Sequence, residues 1–238
     1  METRKTKTLT LSAEEGQLVI YYFISAYSDY LGARTLLSKG LLSQGVILAN
    51  TSIEKYFKGI LTSVNVPVSK RHDISIKKYD NTIKNRFRRL HNTINWEFVK
   101  FISMTYEMRY LDDLKPGYGI AIARLKTLAE LDSLVCEIEK SFQIGASDKP
   151  NRYKSDVDKL NPILYDLNHH LLKQDKTLYI EQLDQVHQFG IMSPKLPVQI
   201  EYIAEDIKND GKFLYEAMSS SVSDLIYRPR MCFTPFEF

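Results

Sequence analysis

The chain has 238 residues, 44% of them hydrophobic, which is enough to bury a core and excludes global disorder. Its two cysteines, Cys136 and Cys232, exclude a disulfide framework and a cysteine-based zinc site. The net charge of +3 is unevenly placed: residues 66–100 hold nine basic residues against three acidic, a net of +6, and the remainder, with 23 basic and 26 acidic, carries −3.

The first twelve residues, METRKTKTLTLS, are basic and polar and lack the apolar core of a signal peptide. No apolar run reaches about 18 residues, so no membrane span is expected and the chain reads as a soluble cytoplasmic protein. Residues 1–15 form a basic arm, with Ser12 and Glu15 spaced as a capping box for the helix that follows. That helix covers residues 16–38, and a second covers 44–64, where Val46, Ala49, Ile53, Tyr56, Phe57, Ile60 and Leu61 share one face. Pro67 breaks the pattern. A third helix is predicted over 74–90, a fourth over 95–111 and a fifth over 119–142, the last carrying Cys136 as a buried reduced thiol.

The polar stretch 146–160 reads as a linker. Asn161 followed by Pro162 then has the form of an N-cap with proline at the first helical position, opening a helix to about residue 173. Another helix is expected over 178–189, stopped by Gly190. Residues 198–208 and 213–227 are compatible with helix, although Val198, Ile200 and Tyr202 also alternate as in a strand. The expected architecture is all-α: an up-and-down bundle over 16–145, a linker, and a smaller, mainly helical region over 161–238.

Three segments carry a family pattern. The stretch GVILANTSIEKYFKGILTSVNVPVSKRHDI has a small-residue helix, a Glu-Lys pair, a second lysine, a short loop and then His-Asp-aliphatic. TYEMRYLDD follows later and YSDYLGARTLLSKG precedes. Together they resemble HEPN domains over residues 16–142, with Leu111 standing where the family has proline. The resemblance implies an up-and-down bundle that often dimerises and is linked to nucleotide or RNA binding. Some members are metal-independent ribonucleases, acting as toxins or defence effectors, that use an Arg-x4–6-His motif with a polar residue after the arginine.

RNA cleavage without metal requires a base for the 2′-hydroxyl proton and a cation for the charge growing on phosphate, roles that histidine and arginine suit. Arg86 and His91, in NRFRRLH, provide both types at the permitted spacing, with Phe87 after the arginine. On a continuous helix five residues turn about 500°, which sets the two side chains about 140° apart. They converge only where the helix ends between them or a second subunit completes the site. Ile76, Tyr79, Ile83, Phe87 and Leu90 define the buried stripe, and the charges are what that helix leaves outside.

Two functional readings follow. In one, a HEPN-like module binds nucleotide or RNA through Lys70, Arg71, His72, Lys77, Lys84, Arg88 and Arg89, as a homodimer in a toxin–antitoxin or defence setting. In the other, Arg86 and His91 form a metal-independent endoribonuclease, with an antitoxin or defence protein as partner. A basic segment is also what a solvated helix face looks like. Glu54, Lys55, Lys58, Asp73, Arg109 and Tyr110 are expected to gather as a polar cluster at one bundle end, with Asp73 also placed as an N-cap and Arg109 placed to pair with Glu54 or Asp112. No cofactor is expected. Nor is a metal, since His169 and His170 point about 100° apart on a helix.

Overall fold

In the computed structural model, which describes residues 11–68, 74, 77–110, 119–142, 151–193 and 196–204, the capping box at Ser12 is formed. Ser12 N donates to Glu15 Oε2 (2.9 Å) and Glu15 N to Ser12 Oγ (3.1 Å). The helix it opens, α1 (Ala13–Ser38), packs along α2 (Leu42–Thr62). The two approach closely because glycine stands at the contacts. A Cβ at Gly45 would lie 2.6 Å from Leu37, and one at Gly59 would lie 2.8 Å from the Phe23 ring.

The chain continues through α3 (Lys77–Arg86), α4 (Arg88–Thr93) and α5 (Trp96–Tyr106), which ends in a single 3-10 turn, Glu107–Arg109. Asn95 caps α5 by accepting from the amides of Glu97 and Phe98. The long helix α6 (Arg124–Ser141) packs on α1, α2 and α4. Phe23, Tyr27, Tyr30, Tyr56, Phe57, Phe98 and Phe101 fill the core between these helices, and Cys136 is buried beside them. The described chain is a predominantly helical bundle, as its periodicity predicts. No described helix is long and apolar enough to cross a membrane.

Four expectations are corrected. Residues 119–123 are not the first turn of α6 but a fully buried strand, β1 (Gly119–Ala123). The α6 helix starts at Arg124 because Asp184, 60 positions on, accepts from Leu125 N at 2.5 Å and from Arg124 Nε at 2.8 Å. Residues 151–160 are not a linker: Asn151 caps α7 (Arg152–Asp158), which packs on α1 through Tyr153 and Val157. Asn161 and Pro162 do open a helix, but α8 (Pro162–Tyr165) lasts one turn, and Leu167 follows at φ 53°. Finally, 178–189 is not one helix. Asp175 caps a short α9 (Lys176–Ile180), and the chain then enters β2 (Asp184–Ser193).

The last strand, β3 (Leu196–Ala204), follows the alternating pattern of Val198, Ile200 and Tyr202. The sheet is antiparallel in the order β1-β2-β3, with Gly190 opposite both Gly119 and Val198. Gly190 therefore sits inside a strand rather than ending a helix. The expected helix over 213–227 and Cys232 lie outside the described residues.

A buried ion pair joins the bundle to the chain after α7. Arg34 of α1 and Asp132 of α6 are each 1% exposed and are bonded through Arg34 Nη1 and Asp132 Oδ1, which also accepts from Tyr30 OH at 2.8 Å. Arg34 donates further to the carbonyls of Ile163 (3.1 Å) and Asp166. Burial opposes its charge, yet Asp132 at its side raises the guanidinium pKa above its ordinary value and keeps the cation. Asp132→Ala strands that cation without its carboxylate, and urea unfolding should show a loss of about 3–5 kcal/mol.

Candidate nucleic-acid interface

Tyr79 and Ile83 anchor α3 and Leu90 anchors α4, all buried, and the half-buried Phe87 ring packs on Phe142 with centroids 5.0 Å apart. Tyr79 packs on Phe57 of α2 at 5.5 Å. With that stripe inward, Lys77, Lys78, Lys84, Arg86, Arg88 and Arg89 are all exposed. The basic segment is thus a surface, and the apolar anchors are those the spacing predicts. Lys70, Arg71, His72 and Asp73 lie outside the described residues, as does Ile76 of the expected stripe.

The helix breaks at Phe87, which has φ −131° and ψ 54° and separates Arg86, the last residue of α3, from α4. A break between Arg86 and His91 is what a joint site requires. The imidazole, however, turns to Asp80 of α3, with Nε2 2.7 Å from Oδ1. Its ring lies 5.1 Å from that of Trp96, whose indole N–H donates to the His91 carbonyl at 3.3 Å. A carboxylate on Nε2 fixes how the imidazole is oriented, and Nδ1 is then the nitrogen left for other chemistry. Arg86 stands exposed at the break. Neither Asp80 nor Trp96 is singled out by the sequence. The break swings α4 so that a residue 11 positions back, which a continuous helix would hold about three turns away along its axis, meets the histidine.

Within the polar cluster expected at one bundle end, three sets of contacts are seen. Glu54 Oε1 and Lys58 Nζ pair at 2.5 Å on α2. Lys55 turns instead toward α1, to Asp29 (2.6 Å) and Ser25 (2.8 Å). Arg109 Nη1 donates to Tyr106 OH at 2.8 Å, and its guanidinium lies over both the Tyr106 ring (5.0 Å) and the half-exposed Tyr110 ring (5.9 Å). Arg109 is therefore held by aromatic faces; Asp112, its other expected partner, is outside the described residues.

Among the described residues His169 and His187 are buried and His170 is half-buried. His169 is buried and stacks on Tyr179 at 5.3 Å, and desolvation pushes its pKa down to about 4. Its ring and that of His170 stand 6.2 Å apart and nearly perpendicular. Among the described residues no group of three or more His, Cys, Asp or Glu side chains is placed to hold a metal ion.

No family model matches the chain, and no curated protein or solved structure matches it either.

The Asp80 side chain is 44% exposed, so its pair with His91 works largely in water and is weak. Asp80→Ala is expected to cost under about 1 kcal/mol in urea unfolding, followed by the fluorescence of the single tryptophan, Trp96.

Proposed function

We propose that this chain is a HEPN-like helical module that binds RNA or nucleotide through the exposed basic surface of α3 and α4, as a homodimer. The observation that carries the reading is the placement of six exposed cations, Lys77, Lys78, Lys84, Arg86, Arg88 and Arg89, on two short helices anchored by Tyr79, Ile83 and Leu90. Charge gathered on one rigid surface attracts a polyanion far better than the same charge dispersed. Binding to phosphates in this way releases counterions, so it weakens steeply with salt.

A second reading is favoured by the break at Phe87 and the Asp80–His91 pair: a metal-independent endoribonuclease. In it His91, oriented by Asp80, takes the 2′-hydroxyl proton, and Arg86 balances charge on the phosphate. The chain's own groups supply both roles, and toxin–antitoxin or defence systems are the setting in which such an activity would be kept in check.

Two measurements separate the readings. For binding, single-stranded RNA retention should fall with salt, and K84E/R88E/R89E should weaken it and flatten the slope of log K against log salt by about 2, or about 0.7 for each phosphate no longer neutralised. A variant with an unchanged slope removes this surface from the interface. For cleavage, RNA is incubated in EDTA with the wild-type chain and with His91→Ala. The binding reading expects intact RNA from both, whereas cleavage by the wild type alone establishes the nuclease.

A further inference from the structure

The seam between α6 and α7 holds a carboxyl group that the nucleic-acid reading does not use. Glu139, near the end of α6, is only 8% exposed. Its Oε1 accepts from Tyr56 OH of α2 at 2.5 Å. Its Oε2 accepts from Asn151 Nδ2 at 2.8 Å, and the other end of the same amide, Asn151 Oδ1, caps α7 by accepting from Lys154 N at 2.8 Å. One carboxyl therefore ties the N-cap of α7 to the bundle. Two further bonds complete the docking: Tyr27 OH donates to Asp156 Oδ2 (2.8 Å), and Arg152 Nη1 donates to Ser28 Oγ (2.6 Å). The Arg152 guanidinium also lies over the Tyr27 ring at 5.4 Å.

We propose that Glu139 is the proton-operated catch of a latch that holds α7 against α1 and α6. The groups facing it are Tyr56 from α2, Tyr27 from α1 and Asn151, the N-cap of α7; of the four charges on α7, Arg152 and Asp156 are engaged by α1, and Lys154 and Asp158 are exposed. Among the described residues no cation pairs with it. An ionised carboxylate here lacks a countercharge, and burial costs it more than the hydrogen bond from Tyr56 returns. Its pKa is accordingly raised from 4.5 to about 7. On protonation Oε1–H donates to the Tyr56 oxygen, whose own O–H turns away from that line, while Oε2 still accepts from Asn151.

The direction follows from linkage. The docked state has the higher pKa, so its stabilisation is complete below the free carboxyl's 4.5 and is lost as the pH rises through about 7. Between pH 6 and pH 8 the docking equilibrium should weaken about tenfold. Undocking α7 withdraws the Tyr153 ring from its edge-to-face contact with Tyr27 of α1 (5.9 Å) and uncovers Tyr27 on the bundle.

Amide hydrogen exchange on the full chain at pH 6 and pH 8, expressed as protection relative to the intrinsic rate at each pH, tests this. The reporters are the α7 amides of Ser155 and Lys159, which donate to the Asn151 and Ser155 carbonyls. Their protection should fall about tenfold over that range, with α2 amides unchanged. In Glu139→Gln, whose amide reproduces the protonated acid, α7 protection should be equal at both pH values. Equal protection in the wild type overturns the proposal. So does a fall shared by α2, which would make Glu139 a contributor to global stability only. A pH dependence that survives in Glu139→Gln would assign the proton elsewhere and overturn it as well.

Discussion

A guanidinium buried in a protein is tolerated only when every strong donor has a partner, and much of this fold is arranged around that demand at Arg34. Asp132 supplies the countercharge from α6, Tyr30 shares the same carboxylate oxygen, and the carbonyls of Ile163 and Asp166 accept from Nε and Nη2, so that each guanidinium nitrogen has a partner. The backbone after α7 must therefore present two carbonyls inward, which it does by ending α8 after one turn. A lysine, with a single ammonium on a flexible stem, would not span a carboxylate and two carbonyls. The neighbouring contacts follow from this placement: His169 stacks on Tyr179, whose hydroxyl donates to the Leu167 carbonyl at 2.6 Å, and Lys176 pairs with Glu130 of α6 at 2.7 Å.

The charges of this protein fall into two populations. Along α6 three charges are paired with segments far away in sequence, each pair having a buried carboxylate: Glu130 with Lys176, Asp132 with Arg34, Arg124 with Asp184. On α3 and α4 they are exposed and of one sign apart from Asp80. The first population joins segments far apart in sequence and fixes where they meet. The second lies on the outer side of the apolar residues interleaved with it.

How much of this could be read from the chain depended on whether the cause was local. Ser12 and Glu15, Asn161 with Pro162 at the start of α8, and the Tyr79–Ile83–Leu90 stripe are signals within a few residues of what they control, and each does what its spacing predicts. The length of α8 and the identity of β1 and β2 were not legible, because their causes lie elsewhere in the chain. The Ile120 and Ile122 alternation is too short to distinguish from the apolar face of the helix beside it, and the residue that decides the boundary is Asp184. At the candidate site the anchors and the exposed cations were legible. The partners of His91 were not, since Asp80 reaches it only because the backbone breaks at Phe87.

That boundary also bears on how the chain is made. The β1 strand has β2 as its pairing partner in the sheet, and the first amide of α6 to be capped waits on the same strand. During synthesis the middle of α6 can form as soon as it emerges, whereas its first turn stays incomplete until some sixty further residues have been added. Contacts of such long sequence separation carry the largest loop-closure cost and are made late. The bundle's fifth long segment is thus finished from the far side of the chain, and a fragment ending ahead of Asp184 would leave β1, with its five buried residues, without a strand to lie against.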